Sequence, residues 1–191
     1  MDLISLKYAI FVIVLLVLYY CFPKKYRWYV LLAGSMAYYV IICKWYVLFI
    51  IFTICTTYGS TIWIDKLLKK QNAIVKSHKE DWDRQTRKDY KEKGRKKRVA
   101  VMLFALLCNF GILAFLKYIP YAGELGLLLP LGISFYTFQS MGYVMDVYRE
   151  IVEPEKNFLK VALFVSFFPQ IIQGPIAIYD KLAGQLYEGH S

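Results

Sequence analysis

The chain has 191 residues, 58% of them hydrophobic and 18% aromatic, with a formal net charge of +10. Ordinary soluble domains are nearer half apolar, so this composition and a mean hydropathy of +0.40 point away from a soluble fold and toward a membrane protein. The charge does not indicate a nucleic-acid partner: residues 69–98 hold 13 of the 24 Lys and Arg against 5 acids, so one loop carries +8 of the total. That is the pattern of a cytoplasmic loop between membrane spans.

Residues 3–22 form an apolar run broken only by Lys7, which is close enough to the end to snorkel. A cleaved signal peptide is not expected, because Lys24, Lys25 and Arg27 follow the run and no small-residue cleavage site appears. Asp2 before the run and the basic cluster after it place the amino terminus outside and Pro23 inside. Residues 28–43 make a second span, with Trp28 and Tyr29 at the inner interface. Lys44, Trp45 and Tyr46 read as a tight outer turn. Residues 45–64 give a third, uncharged span that returns inside at Asp65 and Lys66.

The basic loop at 69–98 contains Glu80/Arg84, Asp83/Arg87, Asp89/Lys93 and Glu92/Lys96, each an acid four residues before a base. That order supports a solvated helix by about 0.3 kcal/mol per pair. The cluster from Gly94 to Arg98 suits anionic lipid in principle, although a topogenic role at the entry to the next span accounts for it. Residues 99–116 form the fourth span, and residues 117–124 an outer loop. The cysteines at 21, 43, 55 and 108 all lie in apolar segments with no paired spacing, and are read as packing residues and not as a metal site.

The fifth span, 131–148, follows Pro130 at a favourable first helical position. It is uncharged until Asp146. At 100° per residue, Gly132, Gln139, Tyr143 and Asp146 share one stripe, while Ser134, Thr137, Met141 and Tyr148 fall opposite. An amide and a carboxylate on one stripe require protein or water beside them, so this helix should face an interior. Arg149, one turn from Asp146, is expected to neutralise it as a structural ion pair. Phe135 and Phe138 should lie more peripherally.

The last apolar stretch, 158–178, is interrupted by Pro169, Gly174 and Pro175 and carries Gln170 and Gln173. Proline removes a donor and clashes with the carbonyl four residues back, so one straight helix is excluded. Broken backbone at membrane depth is tolerated against protein or a water-filled cavity. Ser134, Gln139, Tyr143, Asp146, Gln170, Gln173, Gly174 and Pro175 are therefore the candidate substrate- or cavity-lining residues. The fold class is all-α: a polytopic bundle of about six membrane-embedded helical segments, the last one broken.

No catalytic residue is assigned. General acid–base catalysis needs a positioned base, and the two histidines are poorly placed for it: His78 is in the charged loop and His190 is penultimate. The residues alone leave two classes open. One is an enzyme working at the membrane, and the other is a non-catalytic membrane scaffold or transporter fragment. A transporter would be expected to show paired repeats and midplane ion ligands, and neither is visible.

Three blocks carry a resemblance: Pro130 to Gln139 (PLGISFYTFQ) with Asp146 to Arg149 (DVYR), then Phe167 to Gln170 (FFPQ), then Gly174 to Ile176 (GPI). In order and spacing they resemble the membrane-bound O-acyltransferase family, in its bacterial alginate O-acetylation-like branch. The resemblance covers the chain from about Trp28 onward and only the amino-terminal part of the family's length. It implies transfer of an acyl group such as acetyl to hydroxyls of an extracytoplasmic polysaccharide or cell-envelope polymer. The implied donor is a cytoplasmic thioester, acetyl-CoA or an acyl carrier, as a substrate and not a resident cofactor. The implied partners are the lipid bilayer, a missing carboxy-terminal part of the same enzyme, and an extracytoplasmic acyl-relay or polysaccharide-modifying protein. The family's catalytic histidine follows a tryptophan in a downstream segment. This sequence has no Trp-His pair, so no catalytic position is carried over, and a truncated or split frame without activity of its own is expected.

Overall fold

The computed structural model describes residues 6–43, 47–78, 82–118, 132–169 and 179. Among these it has six α-helices and no strand: α1 Leu6–Cys21, α2 Arg27–Cys43, α3 Val47–Ser77, α4 Arg84–Tyr118, α5 Ile133–Tyr148 and α6 Phe158–Ser166. The all-helical class is as expected. Two of them, α3 and α4, are long and apolar enough to cross a membrane. At 1.5 Å per residue α5 reaches about 24 Å and α6 about 13 Å, short of a hydrocarbon core of roughly 30 Å.

The charged segment 69–98 is not a separate loop helix. Its first part continues α3 to Ser77 and its second part begins α4 at Arg84, so both spans project as one helical hairpin. Helix continues past Ile64 because residues 65–77 contain neither proline nor glycine and are rich in lysine and leucine, which suit a helix. Of the expected acid-base pairs, Glu92 and Lys96 close at 2.9 Å, whereas Asp89 accepts from the side chain of Gln85 at 3.1 Å. Gly94 lets the two arms approach: a Cβ there would run into the side chain of Gln71, whose amide donates to the Lys91 carbonyl at 3.2 Å.

Helix α3 organises the bundle, packing against α4, α5 and α6, while α2 joins α1 to α6. Its inward face is small and polar, with Thr53, Thr57, Ser60 and Thr61 all buried. The Ser60 and Thr61 hydroxyls donate to carbonyls one turn back at 2.6 and 2.9 Å. Side chains satisfied within their own helix let neighbours come close. Asn109 of α4 donates across to Thr56 Oγ1 at 2.9 Å. Bulk comes from the other partners: Tyr39, Tyr136, Tyr143, Val144 and Phe164 join Ile50, Ile54 and Ile64 in one core. Outside, α1 and α4 present exposed apolar side chains such as Ile13, Val17, Phe104 and Leu107.

Candidate functional site

Helix α5 packs against α3, α4 and α6, and this settles its orientation. Exposure is confined to one narrow strip, with Phe135 at 44% and Phe138 at 46%. Phe138 edges onto Phe110 of α4 at 5.4 Å. Both polar stripes lie inside: Gln139 and Tyr143 are buried, and so are Thr137 and Met141 on the other flank. The helix faces an interior, as its polar residues require, and three neighbours cover it around most of its circumference, so the opposite flank is buried as well.

Gln139 is 3% exposed, and its amide donates to the Phe164 carbonyl of α6 at 2.9 Å. The reason lies in α6. Phe167 turns extended (φ −61°, ψ 101°), so the last carbonyls of the helix lose their intrahelical donors. Phe168 N–H points to Ser35 Oγ of α2 at 3.5 Å and not back to Phe164. The chain thus breaks before Pro169, and side chains from α5 and α2 meet the freed backbone groups.

Tyr143 lies further along the same face. Its hydroxyl accepts from the Glu155 backbone N–H at 2.8 Å. Its ring stacks on Tyr179 at 4.3 Å and edges onto Phe164 at 5.7 Å. Glu155 fastens the α5–α6 linker: its carboxylate accepts from Asn157 N–H at 2.9 Å and lies 3.7 Å from Lys160. Asn157 caps α6 by accepting from Leu159 N–H at 3.0 Å.

Asp146 and Arg149 do not form the expected ion pair. The pairs among the described residues are Asp65–Lys69, Glu92–Lys96, Arg98–Glu150 and Glu155–Lys160. The physical reason is the way α5 ends. Glu150 has a left-handed φ of 63°, and the helix closes with Ile151 N–H to the Asp146 carbonyl at 3.0 Å and Glu150 N–H to the Val147 carbonyl at 3.1 Å. This two-bond ending usually employs glycine at the left-handed position. Here a glutamate occupies it, and its carboxylate takes Arg98 Nη1 at 2.8 Å.

Ser134 is half-buried near the start of α5. Gln170, Gln173, Gly174 and Pro175 lie outside the described residues, as does His190. His78 is exposed at the hairpin tip, stacked on Trp82 at 4.9 Å with Nδ1 3.0 Å from Ser77 Oγ. Sequence reasoning missed Ser35, Glu155 and Arg98. Ser35 meets a backbone group 133 residues away and Glu155 acts within the linker, neither with a sequence pattern of its own; Arg98 looked like one of four topogenic charges between Gly94 and Val99.

A second polar region lies where the hairpin leaves the bundle. A cleft of about 420 Å³ is bounded by Gln71 and Asn72 of α3, by Lys91, Arg95 and Arg98 of α4, and by two acids, Glu92 and Glu150. Arg98 is buried by the α5 ending. The Tyr148 hydroxyl beside Arg95 holds its guanidinium pKa above the usual value.

The chain is similar to curated proteins over part of its length. It is 46% identical over 59 residues to a protein named probable alginate O-acetylase AlgI from Pseudomonas aeruginosa, covering 31% of this chain and 11% of that one. To the protein of the same name from Azotobacter vinelandii it is 37% identical over 83 residues, covering 44% of this chain and 15% of that one. To a peptidoglycan O-acetyltransferase from Helicobacter pylori it is 32% identical, covering 44% of this chain and 23% of the relative. No protein-family profile matches, and no solved structure does. The chain therefore spans less than a quarter of the length of these relatives. Over the matched part, it is similar to proteins named for the O-acetylation of alginate and of peptidoglycan.

Proposed function

We propose that the chain is the amino-terminal part of a multi-pass membrane O-acyltransferase that moves an acetyl group onto a hydroxyl of an extracytoplasmic polysaccharide or cell-envelope polymer. The observation that carries this reading is the similarity to enzymes named for O-acetylation of two different polymers, alginate and peptidoglycan. The α5–α6 contact is compatible with it, since a buried amide and a broken helix in an apolar bundle are what a polar path through a membrane domain requires. In this reading the cell membrane holds the chain with its amino terminus outside and the basic hairpin in the cytoplasm. The donor is a cytoplasmic thioester, acetyl-CoA or an acyl carrier. The candidate residues for the route of the acceptor or donor in this reading are Ser134, Gln139, Tyr143 and Asp146, with Gln170, Gln173, Gly174 and Pro175. An extracytoplasmic acyl-relay or polysaccharide-modifying protein completes the transfer.

Residues 1–191 supply no base for the acceptor hydroxyl. A neutral hydroxyl is a poor nucleophile until a positioned group takes its proton. Exposed His78 is held against a tryptophan at the hairpin tip, away from the α5–α6 interior. The carboxy-terminal remainder of the enzyme would contribute the base. The test is transfer of labelled acetyl from a thioester donor in membranes. Residues 1–191 alone should give no transfer above empty membranes, and the chain continued into the frame after Ser191 should give transfer. Activity of residues 1–191 that survives His78→Ala with His190→Ala would place the chemistry in residues read here as structural. No activity from the continued frame would count against the enzyme reading.

A further inference from the structure

We infer that the cleft between the two arms of the hairpin is a phosphate-binding site at the level of the membrane surface. Arg98 immediately precedes the apolar run that starts at Val99, and Gln71 lies two turns beyond Ile64, where the apolar part of α3 ends. The antiparallel arms bring these two borders together, so the cleft stands where lipid headgroups meet the protein.

Two buried groups in this cleft lack partners among the described residues. Arg98 is 8% exposed and Gln71 6%, yet Arg98 Nε and Gln71 Oε1 make no hydrogen bond there. Buried donors and acceptors are ordinarily satisfied, and an Arg Nε–H beside other cations is suited to an anionic oxygen. The charge balance agrees. Three cations, Lys91, Arg95 and Arg98, line the cleft against two carboxylates. Glu92 is already held by Lys96 and Glu150 by Arg98, which leaves positive charge in excess. Guanidinium groups match phosphate oxygens in geometry, and the Asn72 amide adds a neutral donor. Gln71 Oε1, as an acceptor, suits a hydroxyl next to the phosphate, as in a glycerol-type headgroup.

The phosphate could be presented by a membrane lipid or from solution, and the test separates these sources. The purified chain in neutral detergent is titrated with dioctanoyl phosphatidylglycerol, with dioctanoylglycerol as its phosphate-free twin, and with sodium pyrophosphate, reading thermal unfolding. The lipid phosphate should raise the unfolding temperature saturably, and the phosphate-free twin should not. Lys91→Gln with Arg95→Gln, both exposed side chains, should weaken the response tenfold or more. Lys93→Gln with Lys97→Gln, which removes the same charge outside the cleft, should change it less than twofold. A response to pyrophosphate alone upholds the site and assigns the phosphate to a soluble compound. Equal weakening by both double variants, or equal binding of the phosphate-free twin, overturns the inference. The Lys91/Arg95 pair is used because Arg98 also holds the end of α5, so its loss could unfold that region.

Discussion

The side-chain amide of Gln139 on α5 donates to the backbone carbonyl of Phe164 on α6 at 2.9 Å. In an unbroken helix that carbonyl would accept from residue 168, but Phe168 N–H is turned to Ser35. A glutamine in a membrane-type helix is thus explained by a backbone break in its neighbour. Water is scarce in such an interior, so each freed backbone group needs a protein partner.

Gln139→Leu should therefore cost about 1–3 kcal/mol, the usual penalty for a buried polar group left unpaired. Gln139→Glu should cost more at neutral pH, because it sets a carboxylate against a carbonyl oxygen. Unfolding in mixed detergent, followed by circular dichroism, measures both. Phe135→Leu, on the exposed strip, should stay within about 0.5 kcal/mol of the parent. Equal effects at 139 and 135 would refute the assigned role of the amide.

Tyr143 combines two contributions that substitutions can separate. Tyr143→Phe removes the hydroxyl that receives Glu155 N–H but keeps the stack on Tyr179, and should cost about 1 kcal/mol. Tyr143→Ala removes the ring from the core as well and should cost about 3–5 kcal/mol. The same unfolding measurement applies. A phenylalanine variant as unstable as the alanine one would mean that the hydroxyl, and not the ring, holds the linker.

Glu150 carries strain and an ion pair together. Glu150→Ala loses the Arg98 contact and keeps the unfavourable left-handed backbone. Glu150→Gly loses the same contact but relieves about 1 kcal/mol of backbone cost. The glycine variant should accordingly be the more stable of the two. Because the Glu150 side chain is half exposed, a double-mutant cycle with Arg98→Gln should return a coupling of about 1 kcal/mol or less. A glycine variant no more stable than alanine would show that the turn is not strained.

Topology is tested at the hairpin. In a background with the four native cysteines replaced by serine, Lys93→Cys should resist a membrane-impermeant maleimide in intact cells. It should label fully once the membrane is opened. Labelling from outside would invert the orientation derived from the basic clusters.

The sequence by itself determined where most helices lie. Apolar run length and the flanking charges located α2 and α5 to within two residues, because hydrophobic burial depends on local composition and periodicity. Pro169 announced a broken α6 for an equally local reason, since a missing N–H cannot be supplied from elsewhere in the helix. The inward position of Gln139 was also legible, as an amide has nowhere else to be satisfied. Tertiary structure alone decided the partners. Gln139 meets Phe164, Phe168 meets Ser35 and Arg98 meets Glu150 across separations of 25, 133 and 52 residues, where no local pattern operates. It also showed that α5 is covered on both polar stripes, which depends on how many neighbours surround a helix. Asp146 and Arg149 were expected to pair because they are adjacent on a helix. The left-handed residue that follows them ended the helix there, and the buried guanidinium of Arg98 took the carboxylate of Glu150 instead.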